Sequence, residues 1–289
     1  MVNEIARYSK GDIKIKEEYR PKWKGNLTVD DKYFGVSGEN KLILTATDST
    51  GDLVHMETFR YVEQKGVDEF LKFIKEHLHY PFRSITTDLD EMLEKSIEKE
   101  LVGVPHQKCL KHALDVIDKI VQLRQKRKAY QKTYVKDRAA YEMIEKDYRE
   151  AEMVFSLTRE LFYSQDETQS KKILSNLRCY QNKYPKIFDF FDRHLNKLLT
   201  HQRYPSVKKT NNIAENINRQ LMRRLKTIES FQKFVYAENY LNLYKNYLRF
   251  KPYTDCRGTN KIKNGKSPLE VCGVVLQNKD WLKNAIAFY

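Results

Sequence analysis

Cysteine is scarce in this chain, with four residues in 289, at Cys109, Cys179, Cys256 and Cys272. They are widely spread and form no Cys-x-x-Cys pair. That argues against a disulfide framework and for a reducing compartment, so a cytoplasmic location is expected. Long apolar runs are missing as well. None approaches the roughly 20 residues needed to span a bilayer, and the opening MVNEIARYSKGDIKIKEEYR lacks the apolar stretch of a signal peptide. A membrane is therefore not an expected partner. No internal repeat and no low-complexity tract is visible. Acidic residues are outnumbered, 39 against 53 Lys and Arg, for a net charge of +14. A chain this basic is attracted to polyanions, of which nucleic acid is the commonest. Charge alone does not choose between DNA, RNA, an anionic membrane and the ribosome.

Apolar residues are plentiful enough, at 40%, for a substantial core in one large domain or two small ones. Three strands open the pattern: Asn26–Val36, then Lys41–Thr47 after the turn at Ser37-Gly38-Glu39-Asn40, then Leu53–Phe59 after a turn over Asp48–Asp52. Such short turns imply an antiparallel meander. Val67, Phe70, Leu71, Ile74 and Leu78 fall at helical spacing, and Pro81 ends that helix. A short strand over Arg83–Thr87 leads to Asp88, a helix follows over Glu91–Glu100, and another short strand is expected over Leu101–Val104. Meander first, then helices alternating with strands, suggests a mixed sheet with helices on its faces. From about residue 113 to 205 the chain reads as helical. There Tyr134, Tyr141, Tyr148 and Phe155 recur every seven residues, a stripe read as helix-packing core rather than a base-stacking platform. Further helices are expected over about 211–226 and Phe231–Tyr247, before a mixed C-terminal stretch.

Three acids stand out by context. Asp30 lies within the first strand, in Leu27-Thr28-Val29-Asp30-Asp31, where a buried carboxylate is costly without a partner. Asp88 ends Ile85-Thr86-Thr87, at the carboxyl end of a strand, where open α/β sheets place ligands. Glu215 sits in Thr210-Asn211-Asn212-Ile213-Ala214-Glu215-Asn216, near a helix start. Hard carboxylate oxygens suit Mg²⁺, and a pair of such ions clamps the attacking and leaving oxygens of a phosphodiester. Each acid also has a plainer reading. Asp31 competes with Asp30, because successive strand residues face opposite sides. Asp88 would serve as a helix cap, and Glu215 as compensation for a helix dipole.

In their order along the chain these motifs resemble the DDE transposases of prokaryotic insertion sequences and their Mutator-like relatives. The first carboxylate strand of that family is similar to Val29-Asp30-Asp31-Lys32, its Asp and Gly turn to Thr47-Asp48-Ser49-Thr50-Gly51, and its second carboxylate to Thr86-Thr87-Asp88. A Cys-x-x-His element resembles His106-Gln107-Lys108-Cys109-Leu110-Lys111-His112, and the third carboxylate matches Asn211-Asn212-Ile213-Ala214-Glu215. The basic stretch Arg219–Lys226 and the segment Gly265-Lys266-Ser267-Pro268-Leu269-Glu270 are similar to later family signatures. The resemblance covers roughly residues 26–275. It implies an RNase H-like α/β fold and DNA strand cleavage and transfer dependent on Mg²⁺ or Mn²⁺. Asp30, Asp88 and Glu215 would be metal ligands, and the chain would form a homo-oligomer on double-stranded DNA. On that basis the expected organisation is an N-terminal extension (1–25), a first core part (26–112), a helical insertion (113–205), final core helices (206–250) and a tail (251–289). The chain departs from the family in Asp31, where a Glu is usual. It also has only 25 residues before the first strand, too few for an end-recognition module. The rival readings are a catalytically inactive or domesticated DNA-binding remnant and a simple RNase H-like nuclease.

His106, Cys109 and His112 lie three residues apart, which on a helix places them along one side. A structural zinc site needs four ligands and no fourth is near, so zinc is not expected. Cys109 is instead expected to pack inside. Accessory positions are Asp31, His106, Cys109, His112, Asn211 and Asn212. Two basic clusters are candidate DNA tracks: Arg124, Lys126, Arg127 and Lys128, which read equally well as a solvated helix face, and Lys208, Lys209, Arg219, Arg223, Arg224 and Lys226, on both sides of Glu215.

Overall fold

The computed structural model describes residues 2–132, 138–228 and 230–286. Tyr134 of the aromatic stripe lies outside the described residues. The chain divides into two compact units, one of residues 1–105 and 211–289 and the other of residues 106–210.

The first unit begins with helices α1 (Val2–Ala6) and α2 (Asp12–Tyr19), followed by strands β1 (Asn26–Val36), β2 (Glu39–Asp48) and β3 (Leu53–Phe59). Helix α3 (Gln64–Glu76), strand β4 (Ser84–Thr87) and helix α4 (Glu91–Glu100) complete its first segment. In the second unit strand β5 (His106–Lys108) leads into α5 (Leu110–Val121), α6 (Leu123–Lys132), α7 (Arg138–Tyr163), α8 (Glu167–Leu177), α9 (Pro185–Leu198) and α10 (Thr200–Arg203). The chain returns to the first unit in α11 (Asn212–Ile228), α12 (Phe234–Phe250), α13 (Pro268–Val271) and α14 (Trp281–Ala285). Within the first unit the strands lie in the order β3-β2-β1-β4. The fold is thus mixed α/β.

The meander follows from its turns. Val36 pairs with Glu39 across the two-residue loop Ser37-Gly38, and both loop residues take positive φ, 51° and 82°. That is the turn whose twist matches paired strands. Gly25 immediately precedes β1, with φ at +84° and a Cβ that would stand 2.0 Å from the Pro81 carbonyl oxygen. β1 runs antiparallel to β2 and parallel to β4, with Thr28 opposite Thr86.

Alternation along the strands sends side chains to two faces. On one, Leu27, Val29, Leu42, Leu44 and Ile85 pack with Val67, Phe70, Leu71 and Ile74 of α3 and with Leu93 and Ile97 of α4. On the other, Phe34, Val36, Ile43, Leu53 and Met56 meet Ile217, Leu221 and Leu225 of α11 and Ala237, Leu241 and Leu248 of α12. A third cluster joins Ile15 of α2 to Phe250, Leu269, Val274, Leu276 and Ala285. The Lys10 N–H donates to the Ala285 carbonyl at 2.8 Å. The segments read as an extension and a tail are therefore folded against one another.

Two expectations are corrected. Leu101–Val104 is no strand. Gly103, at φ +82°, turns the chain there, and the strand falls on His106–Lys108. Nor do His106, Cys109 and His112 share a helix: His106 is in β5, Cys109 is the N-cap of α5, and His112 is in that helix's first turn. In the second unit, two members of the aromatic stripe, Tyr141 and Tyr148, pack against α6. Tyr148 is buried and stacks on Tyr130 of α6 at 5.1 Å, and Tyr141 lies 5.7 Å from the same ring.

Candidate functional site

The acids are positioned by the parallel pair β1–β4. Thr28 is level with Thr86, so extending the register by two residues brings Asp30 level with Asp88. Asp88 lies one residue past the end of β4. One carboxylate oxygen from each of Asp30, Asp31 and Asp88 lies within 4.8 Å of the others. Asp30 and Asp31, set out above as competitors, both join the cluster.

Asp30 shares strand parity with Phe34 and Val36 and is fully buried on the α11 face. Its Oδ1 accepts from Asn211 Nδ2 at 3.1 Å and its Oδ2 from Asn218 Nδ2 at 2.7 Å. Asn218 Oδ1 in turn accepts from the Thr45 hydroxyl at 2.7 Å. Lys32 Nζ stands 3.2 Å from Asp30 Oδ2. Asn211 and Asn218 are seven residues apart, two turns of helix, and so point the same way. Asn218 escapes a motif-based reading. Its signal is a polar residue on an otherwise apolar face of Ala214, Ile217, Leu221 and Leu225.

Asp31 and Asp88 are both half-buried. Burial, followed by the charge of Asp88, pushes the Asp31 carboxyl up to about 7, against the pull of Lys32. Burial, with the nearby charges of Asp90 and Asp30, also raises Asp88. Asp88 is not the cap of α4. Asp90 fills that role, accepting from the Leu93 N–H at 2.8 Å, while Asp88 Oδ1 accepts from the Asp90 N–H at 3.1 Å. Glu215 stands in the first turn of α11, half-buried, one turn beyond Asn211 and three residues before Asn218, on the same side of the helix. It is not part of the 4.8 Å cluster of aspartates.

The basic residues differ in their company. Along α11, Arg219, Arg223, Arg224 and Lys226 are exposed, opposite the buried face. In the second unit Lys208 is exposed, and Lys209 lies over the Tyr163 ring at 5.6 Å. The other cluster is occupied internally. Arg124 pairs with Asp115 and Asp118, Lys126 with Asp147 and Arg127 with Glu152. Other motif residues are structural. Asp48 accepts from the N–H groups of Lys24, Gly25 and Thr50 and from the Tyr80 hydroxyl. Ser267 and Glu270 form a capping box that starts α13. Cys109 is buried, and Asn212 is exposed at the start of α11.

A mixed sheet that gathers carboxylates at the end of its central parallel pair, beside a helix faced with cations, has the makeup of a protein that handles phosphodiesters. Residues 126–244 match the family model described as transposase, Mutator family. That match, over less than half of the chain, supports a likeness to Mutator-like transposases. The matched stretch begins in α6, ends in α12 and includes Glu215. No curated protein matches the chain. Among the described residues no helix is long and apolar enough to cross a membrane.

Proposed function

We propose that this chain is the catalytic core of a DNA transposase with an RNase H-like fold. It would cleave DNA strands and transfer the freed ends, with Asp30, Asp88 and Glu215 as the DDE carboxylates. The observation that carries this reading is the convergence of Asp30, Asp31 and Asp88 at the carboxyl end of the β1–β4 pair.

The donor set fits a hard divalent cation, because every gathered atom is a carboxylate oxygen. The burial and repulsion that raise Asp31 and Asp88 are what such a cation relieves. Asp30, Asp88 and Glu215 would hold Mg²⁺ or Mn²⁺, with Asp31 as a further ligand. Bound there, the ions would supply positive charge to the attacking and leaving oxygens of a phosphodiester. The protein's own contribution is preorganisation. Asn211 and Asn218 fix both oxygens of Asp30 before DNA arrives, and Thr45 fixes Asn218. Arg219, Arg223, Arg224 and Lys226, with Lys208 and Lys209, would neutralise backbone phosphates.

In the first step water attacks a phosphodiester at the element's end and frees a 3′-hydroxyl. In the second, that hydroxyl attacks a phosphodiester of the target, so the new bond joins element to target as the target strand breaks. Such a protein would work as a homo-oligomer that holds two DNA ends. The test is cleavage and joining of terminal-repeat DNA with Mg²⁺ or Mn²⁺. Asp88→Ala and Glu215→Gln are expected to lose roughly a hundredfold or more in rate. Rates equal to those of the unmodified chain would overturn the assignment, and cleavage without joining would make the protein a nuclease.

A further inference from the structure

On the α12 side of the first unit a row of aromatic rings crosses the surface. Phe231 lies 5.6 Å from Tyr240, Tyr240 6.0 Å from Tyr244, Tyr244 5.7 Å from Tyr247, and Tyr247 5.0 Å from Trp281 of α14. Tyr240 and Tyr244 are parallel to within 6°, and Tyr244 and Tyr247 to within 24°. Positions 240, 244 and 247 repeat at four and three residues, so one face of α12 presents all three rings. Each ring is half-buried against the core beneath. Between them remains a cavity of about 320 Å³, lined by Tyr240, Leu243, Tyr244, Tyr247, Trp281 and Arg224. That is near the small end of ligand pockets, about 300–1,000 Å³.

Charge narrows the occupant. Burial raises the Tyr244 hydroxyl, and the charge of the nearby Arg224 guanidinium opposes the rise. Lys251 Nζ sits 4.9 Å from the Tyr247 ring centroid. Among the described residues no acidic one lines the cavity. Flat rings bordered by cations suit a ligand that is itself flat and aromatic and carries negative charge. Unpaired bases on a phosphate backbone combine these features, and stacking on protein rings is how single strands are commonly held. Arg224 also belongs to the exposed cations of α11, and it lies nine residues, about 14 Å, along that helix from Glu215.

We propose that the groove of Tyr240, Tyr244, Tyr247, Trp281 and Arg224 is a stacking platform for unpaired nucleotides of single-stranded DNA. Arg224 contacts the phosphate, and the tyrosine row holds the base. The groove lies on helices α11, α12 and α14 and needs none of the clustered aspartates, so it stands independently of the cleavage chemistry.

The test is binding of an oligothymidylate of about a dozen residues and of a duplex of equal length, at one salt concentration and in EDTA. Fluorescence anisotropy of the labelled DNA and quenching of tryptophan emission are read together. The single strand is expected to bind more tightly and to quench emission, and Trp281→Phe is expected to remove most of the quenching. Tyr244→Leu is expected to weaken single-strand binding roughly 5- to 150-fold with little effect on the duplex, whereas Tyr244→Phe, which keeps the ring, should bind as the unmodified chain does. Thermal melting of each variant separates loss of stacking from loss of fold. If the unmodified chain shows no preference for the single strand and no quenching, the proposal is wrong. Unchanged binding by a folded Tyr244→Leu would overturn it too. Quenching by a proline-rich peptide but not by the oligonucleotide would assign the groove to a peptide instead. Asp88→Ala should bind the single strand normally, so failure of the cleavage assignment leaves this result unaffected.

Discussion

The first unit holds two groups of buried acids, and they are built in opposite ways. Asp12 and Asp52 are enclosed by cations. Arg249, itself fully buried, donates to Asp52 through Nε at 3.0 Å and Nη2 at 2.8 Å and reaches Asp12 at 3.4 Å. Lys245 and His55 each lie 2.7 Å from Asp12, and Trp23 Nε1 donates to Asp52 at 2.8 Å. Asp30, Asp31 and Asp88 share, among the described residues, a single ion pair, that of Lys32 with Asp30. Burial alone would push Asp12 up, but Lys245, His55 and Arg249 hold it well below the usual carboxylate range. At Asp52 burial outweighs Arg249 and Trp23 and raises the carboxyl, while Asp31, with its neighbours mostly acidic, is pushed up to about 7. Acids neutralised from within the chain stabilise the fold. Acids left with surplus negative charge store repulsion that an external cation would relieve.

The largest expected effect breaks the neutralised group. Arg249→Met strands the buried carboxylate of Asp52, since Asp12 keeps Lys245 and His55, and should cost about 3–5 kcal/mol in urea unfolding. A loss below about 1 kcal/mol would show that the network is not held by that guanidinium. Next comes a change of sign. Asp31→Asn removes one charge from the repelling cluster and should raise stability by on the order of 1 kcal/mol at pH 8 in EDTA. Asp52→Asn, which weakens the Arg249 pair, should lower it. If both substitutions destabilise alike, the two groups are not different in kind.

The two groups also differed in how far the chain announced them. The three central strands and α4 were legible because alternation and turn chemistry act over a few residues. Asp30 and Asp88 were legible because a carboxylate at a strand interior or end is out of place there. Asn218 was not, since its meaning depends on Asp30, 188 positions away. The Asp12–Arg249 pairing spans 237 positions and has no local signature at all. The misplaced strand has the same origin. Leu101–Val104 is apolar and looks strand-like, yet Gly103 turns it. The real strand, His106-Gln107-Lys108, is polar and is buried because Gln107 finds the Leu198 carbonyl and the His201 N–H within its own unit. Whether Asp30 or Asp31 enters the site was undecidable from alternation. Asp88, beyond its strand, holds a carboxylate oxygen within 4.8 Å of one from each.

A smaller effect probes the neutralised group by pH. Burial pushes His55 down, but its hydrogen bonds to Asp12 and Glu57 and the charge of Asp12 raise it overall, with Lys245 opposing. His55 is stacked on Phe73, 4.5 Å away, and tilted against Phe70. A histidine raised in the folded state contributes stability fully below its unfolded value of about 6.5, and that contribution is lost as pH rises through the folded value. Asp12, lowered in the folded state, contributes above the ordinary carboxylate range and loses this as pH falls. The network should therefore be strongest between about pH 4 and 6.5, and His55→Gln should flatten the decline above 6.5. An unchanged slope between pH 6.5 and 8.5 would place His55 outside the titrating set.

The same contrast between partnered and surplus charge extends to the cations, where the expected effect is smallest. Arg223 has no carboxylate partner among the described residues, and it stands exposed on α11 between Arg219 and Lys226. Arg124 is equally exposed but is held by Asp115 at 2.9 Å and by Asp118 at 2.7 Å. Releasing Arg124 to a phosphate would sacrifice those pairs, so its net gain on DNA is small, whereas Arg223 gives up only water. Each phosphate neutralised adds about 0.9 to the slope of log affinity against log salt on duplex DNA. Arg223→Ala should therefore reduce that slope by nearly one, and Arg124→Ala should leave it unchanged while costing a few tenths of a kcal/mol in stability. Equal slopes for the two variants would mean that internal pairing does not mark which cations DNA recruits. A lower slope for Arg124→Ala alone would move the DNA track to the basic cluster of α6.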